Sequence, residues 1–202
     1  MTLSEKIEIP LFPLSIFLLP GERIQLHIFE PRYRQLINDL ENGDSKFGIP
    51  YTTGRMTRGL GARCKLIRVL KRYNTGESDV LIECEGIFEL EDFQSMKSDK
   101  LYPYGSVRLL RDLNREIASE EVLEEYDRLR NNLIGTELHF HTVDSDGILS
   151  IMSTLNASSE EKYRFTKLSD SEARNTTLQS LIEILNSLVV QEKATEHGLY
   201  LS

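Results

Sequence analysis

The run His139-Phe140-His141 sets two imidazoles on one side of an extended segment, with Asp144 and Asp146 close behind. These are the residue types of a metal centre. Two histidines without a fixed third ligand are weak grounds, and a polar connector between two helices accounts for them better. The other histidines, His27 and His197, stand apart, so no metal and no cofactor is assigned. Cys64 and Cys84 have no Cys-x-x-Cys partner and alternate with polar neighbours, which makes them small core hydrophobes kept as thiols. Gly59-Leu60-Gly61 lacks the third glycine and following helix of a dinucleotide fingerprint and reads as a turn. No Gly-x-x-x-x-Gly-Lys-Ser/Thr loop and no Gly-x-Ser-x-Gly elbow occurs. The acidic pair Glu120-Glu121 falls on a solvated helix face. No residue is therefore assigned as catalytic, and no enzyme is expected.

The sharpest charge feature is a matched pair of blocks. Arg55, Arg58, Arg63, Lys65, Arg68, Lys71 and Arg72 form a stretch without an acid. Glu77, Asp79, Glu83, Glu85, Glu89, Glu91 and Asp92 form one without a base. Taken alone, the first block suits an RNA-binding stripe through Arg55, Arg58, Arg63 and Arg68. Folding back at Asn74-Thr75-Gly76, however, lays Lys65 near Glu83 or Glu85 and Lys71 near Asp79, which neutralises the block across a hairpin. The whole chain has 24 basic and 32 acidic residues, a net charge of −8, which also weighs against nucleic acid as the main partner.

With 202 residues, 40% of them hydrophobic, the chain can bury one or two small cores. No run approaches the roughly 20 apolar residues of a membrane span. The start, Met1-Thr2-Leu3-Ser4-Glu5-Lys6, does not read as a secretory leader. The cytoplasm is the expected compartment.

The elements that must carry these residues change type near residue 112, after which there are no prolines and helical spacings dominate. Arg23 to Ile28 alternates as a half-buried strand. A helix follows, with Pro31 at its first position, Tyr33, Leu36, Ile37 and Leu40 on one face, and Gly43 as a left-handed cap. Further strands are expected over 47–51, 63–71, 79–85, 87–93 and 105–110. Gly54, Gly59 and Gly61 fall in the loops between them. Six or so short strands with one early helix suggest a partly closed barrel. Beyond it, Ser119 caps a helix with the stripe Val122, Tyr126, Leu129 and Leu133, ended by Gly135. Ile148, Ile151, Met152 and Leu155 make a second stripe. Ser158 to Glu161 and Ser169 to Glu172 fit capping boxes. The second opens the longest helix, with Leu178, Leu181, Ile182, Leu185, Leu188 and Val189 facing one way. The expected class is α+β, with a β-rich domain over 1–111 and a helical one over 112–202.

Ile9-Pro10-Leu11-Phe12-Pro13-Leu14, then Leu19-Pro20-Gly21-Glu22 and Leu26-His27-Ile28-Phe29-Glu30-Pro31-Arg32-Tyr33, closely resemble the start of the Lon protease N-terminal, substrate-binding domain family. Gly59 to Cys64, Glu85-Gly86-Ile87-Phe88 and Tyr104-Gly105-Ser106-Val107 look like later motifs of that family, and the resemblance runs from about residue 7 to 190. It implies a PUA-like β pseudo-barrel with one early helix, followed by a C-terminal helical subdomain. In the full protease this region helps to capture protein substrates and assemble the ring. The nucleotide-binding and Ser-Lys proteolytic parts follow it there. Ser202 ends this sequence before either, so a stand-alone form is expected, for which an inherited peptidase label would misdescribe the chemistry. The motif residues read as architecture: Pro10, Pro13 and Pro20 shape the chain, and Glu30 and Arg32 can bridge.

The function expected is recognition of polypeptide, as unfolded clients or a specific protein partner, a protease among the candidates. The strip His27, Phe29, Arg32 and Tyr33 is the first candidate surface, by strand-edge addition with an apolar patch for side chains. The stripe from Leu178 to Val189 is the second. RNA binding through the basic block is the alternative, and a hydrolase or metal enzyme around His139 and His141 comes third.

Overall fold

The structure, a computed structural model, describes residues 6–44, 46–54, 56–95, 99–134 and 145–199, with the backbone alone for 195–199. The chain divides into two compact units, 1–114 and 115–202.

The first unit contains β1 (Lys6–Pro10), β2 (Arg23–Ile28), α1 (Pro31–Asn42), β3 (Lys46–Thr53), β4 (Met56–Arg72), β5 (Ser78–Gln94), β6 (Tyr104–Leu109) and the short α2 (Arg111–Asn114). The strands form one antiparallel sheet in the order β1-β6-β5-β4-β3, with β2 added to β5. Parallel bridges Leu11↔Gly48 and Leu14↔Tyr51 bring the segment after β1 onto β3 and curl the sheet into a pseudo-barrel. The fold is α+β, as expected. α1 packs Tyr33, Leu36, Ile37 and Leu40 into the same core as Phe47, Ile49, Val80 and Ile82. Cys64 and Cys84 are paired across β4 and β5 in that core, and burial pushes the Cys64 thiol well above its ordinary range. They are core thiols.

Several local expectations give way to packing. Glycine does not interrupt the strands: the expected segments 79–85 and 87–93 are one strand, β5. Its ladder with β4 absorbs the irregularity as register shifts, leaving Glu85 as an extra residue on β5 and Ile67 and Leu70 as extras on β4. Gly59 and Gly61 lie inside β4 rather than in a loop, because the turn falls earlier, around Gly54. At Gly61 a Cβ would stand 2.5 Å from the Phe88 ring and 2.6 Å from the Ile49 carbonyl oxygen. Gly43 is not a left-handed cap, since its φ is −140°. β1 is an element the sequence reading missed, although Ile7 and Ile9 alternate with charged residues.

The second unit contains α3 (Glu120–Leu133), α4 (Ile148–Ser153), α5 (Ser159–Thr166) and α6 (Ser171–Leu199). The Ser119 side chain accepts from Val122 N, and Ser158 with Glu161 makes a full capping box. For α6 the expected box fails: Asp170 Oδ1 accepts from Ala173 N at 2.8 Å while Ser169 donates to Asp170. Val122, Tyr126 and Leu129 of α3 are buried, as are Leu178, Ile182 and Val189 of α6, the helix against which α3 packs. Arg174 of α6 holds Glu116 through Nε at 3.0 and 2.9 Å and Nη2 at 2.7 Å. Gly135, expected to end α3, lies outside the described residues.

Candidate polypeptide-binding surfaces

β2 ends where α1 begins, so the alternation of the strand and the first turn of the helix together place the strip expected to bind. His27 projects outward from β2, with Nδ1 2.7 Å from Asp79 Oδ1 and Nε2 3.6 Å from Glu77 Oε2. The Tyr73 hydroxyl donates to the other oxygen of Asp79 at 2.8 Å. These two hydrogen bonds, His27 first, hold the Asp79 carboxyl below its ordinary range. Phe29 is 57% exposed, and its ring stacks on His27 with centroids 6.2 Å apart. Arg34 donates to the Phe29 carbonyl at 2.8 Å and to Thr75 O at 2.9 Å, tying the start of α1 to the tip of the β4–β5 hairpin.

Tyr33 does not join this exposed strip. It is 4% exposed, its ring lies 3.9 Å from that of Phe12, and burial raises its hydroxyl pKa. Arg32 covers the outer face of that ring at 4.5 Å and bridges to Glu30 at 2.8 Å. The surface therefore consists of His27, Phe29 and Arg32, joined by Tyr73, Asp79 and Arg34. The sequence does not assign the last three to this surface, although Tyr73 precedes the turn expected at residues 74–76 and Asp79 is expected opposite Lys71 beyond it. Among the described residues β2 pairs with β5 alone. Cys84 N donates to Glu22 O at 2.9 Å, which sets the phase of that pairing. Alternation then turns the backbone groups of Arg23, Gln25 and His27 away from β5, so that they form an edge.

The facing strand β5 engages part of the basic block, at Arg63 and Lys65. Lys65 and Glu83 are register partners, with Nζ 3.0 Å from Oε1, and Lys65 also lies 3.6 Å from Glu85. That contact raises the Lys65 pKa and lowers that of Glu83. Arg63 reaches Glu85 at 3.4 Å, and Arg58 donates to Thr53 Oγ1 at 3.3 Å. Lys71 faces Asp79 in register, but its ammonium sits over the Tyr73 ring at 4.4 Å. Arg68 is exposed on the bulged stretch of β4. Arg55, His139, His141 and Asp144 lie outside the described residues, as does the side chain of His197. The backbone oxygen of Asp146 accepts from Ala118 N at 2.9 Å.

The stripe of α6 is not one face but two. Leu178, Ile182 and Val189 are buried, whereas Leu181 and Leu185 turn to a second side and meet Met152, Leu155, Phe165 and Leu168 around an open cleft of about 370 Å³. Ile184, 58% exposed, lies at its mouth, and Leu188, 54% exposed, continues the same face one turn on. Asn156, a non-glycine residue at φ 53°, turns the chain at the cleft wall between α4 and α5. A surface of this kind takes apolar side chains of a partner.

A family model described as the ATP-dependent protease La (LON) substrate-binding domain matches residues 8–193. Comparison with curated proteins gives no match. Among solved structures, the Lon N-terminal domain protein from Xanthomonas campestris superposes with a TM-score of 0.66 at 20% identity, covering 86% of this chain and 98% of that one. The N-terminal domain of Mycobacterium avium complex Lon protease gives 0.60 at 13% identity, covering 88% and 98%. These two likenesses bear on the fold, and the matched residues bear on descent: the chain belongs to the LON substrate-binding domain family.

Proposed function

We propose that this chain is a non-catalytic recognition module that captures polypeptide segments. The observation that carries the reading is the open apolar cleft beside α6, with Ile184 exposed at its mouth and Leu188 exposed one turn further along the same face. Family membership supports the same reading. The β2 edge with His27, Phe29 and Arg32 is a second contact surface, suited to the backbone of an extended segment. The cytoplasm remains the proposed compartment, on the sequence grounds given above, and a protease remains a candidate partner.

The test is binding of a reduced, alkylated, permanently unfolded protein, followed by fluorescence anisotropy and by suppression of its aggregation. Saturable binding is expected. No binding up to high micromolar protein would reject the reading. Engagement of Arg63 and Lys65 by Glu83 and Glu85 weighs against RNA as the ligand. RNA retention in a low-salt gel shift that falls steeply with added salt would reinstate it.

A further inference from the structure

The α6 cleft also carries features that select among polypeptides. Resting on the reading above, we propose that it takes the apolar face of a basic amphipathic helix rather than an extended segment.

The first ground is spacing. Leu181, Ile184, Leu185 and Leu188 recur at three- and four-residue intervals, giving a continuous apolar floor about 10 Å long at 1.5 Å per residue. A docking helix presents anchors at the same intervals. The second ground is the apolar character of the walls: eight of the twelve residues that line the cleft are apolar, and polar ones among the rest are already engaged within the protein. The Glu161 carboxylate accepts from Ser158 N at 2.7 Å, Arg164 donates to Glu160 at 3.0 Å, and Thr177 donates to Ala173 O at 2.8 Å. An extended chain pressed against the apolar stretches would lose water from its peptide groups, at a cost of about 1–3 kcal/mol for each one left without a partner. A helix brings its backbone bonds with it.

The third ground is charge. Glu192 follows Leu188 by four residues and Leu185 by seven, which puts a carboxylate on the same face of α6, one turn beyond the last anchor. Residues 115–202 hold 16 acids against 8 bases, so the net −8 of the chain resides in the unit that forms the cleft, and the β-rich unit is neutral. A Lys or Arg one turn past the last anchor of the occupant meets Glu192, and an acidic helix is repelled.

The test uses the full chain and three labelled peptides of about 18 residues, long enough to be helical. One is a Leu/Lys amphipathic helix, one has the same composition with two central prolines, and one carries Glu in place of Lys. The Leu/Lys helix is expected to bind roughly tenfold or more tighter than either of the others. Ile184→Ser with Leu188→Ser should weaken it by roughly tenfold, and Glu192→Lys by roughly threefold. Ile184, Leu188 and Glu192 are solvent-exposed, so an unchanged urea midpoint is expected for these variants.

The serine pair keeps every charge, so its loss of binding separates docking from attraction to an acidic protein. Equal binding of the proline peptide, or an unaffected serine pair, overturns the helix proposal. Continued capture of the unfolded protein then leaves the polypeptide reading standing, and failure of that capture too removes both.

Discussion

Arg174→Met tests how α6 is held in place. Its guanidinium reaches Glu116 at 2.7 to 3.0 Å, and Nη1 donates to Leu168 O at 2.6 Å. Only 11% of the Arg174 side chain and 13% of that of Glu116 is exposed, so water can replace little of what is lost. Methionine fills the stem volume but leaves a carboxylate and a carbonyl without their donor. Breaking one side of a buried pair costs about 3–5 kcal/mol, and partial access to solvent puts this case near the lower end. For a domain of this size that is a fall of about 4–8 °C in Tm per kcal/mol. Urea unfolding of the single variants and of Glu116→Gln/Arg174→Met should show a coupling energy of about 1–3 kcal/mol, because the double variant orphans no charge. Additivity within about 0.5 kcal/mol would refute the assignment of this pair as the anchor.

Other consequences are equally local. Gly61→Ala forces a Cβ against the Phe88 ring and the Ile49 carbonyl and should cost about 1–3 kcal/mol in the urea midpoint, whereas a neutral result would contradict the close approach. Asp170→Ala should cost about 1 kcal/mol and Ser169→Ala only a few tenths, and the reverse order would restore Ser169 as the cap. Asp39, Asp79, Glu83, Glu161 and Asp170 all have carboxyls held below their ordinary values of 3.8 for Asp and 4.5 for Glu. A depressed native pKa contributes stability that is fully present above the unfolded value and is lost as pH falls through the native one. The urea midpoint should therefore decline from about pH 4.5 downward. A midpoint that rises on acidification over that range would contradict the sign.

The hairpin was legible because opposite charges in two blocks flank turn residues: folding at residues 74–76 gives the Lys71–Asp79 register, while the choice of Glu83 over Glu85 opposite Lys65 is made by the bulges at Ile67 and Leu70. α1 was legible from Pro31 and four apolar residues on one face. The full length of β5 was not, because Gly86 looks like punctuation until Asn114 is seen packing beside it, accepting from Ile87 N and donating to Ile87 O. Periodicity marks Leu178 to Val189 as apolar but not which neighbour each residue meets. Only the packing of α3 on one side and of α4 and α5 on the other splits that stripe into a core face and a cleft. Tyr33 and Phe29 pose the same difficulty in small. Both are aromatics at a strand–helix junction, and the rotation between the two elements sends one inward and the other out.

On the reading proposed above, polypeptide is held at the cleft beside α6. The most direct measurement places a photo-crosslinking side chain at position 184 and, separately, at position 68, and exposes each protein to a permanently unfolded polypeptide. Capture at 184, competed by the Leu/Lys helix and weak at 68, is the predicted result. Capture at 68 with none at 184 would contradict it.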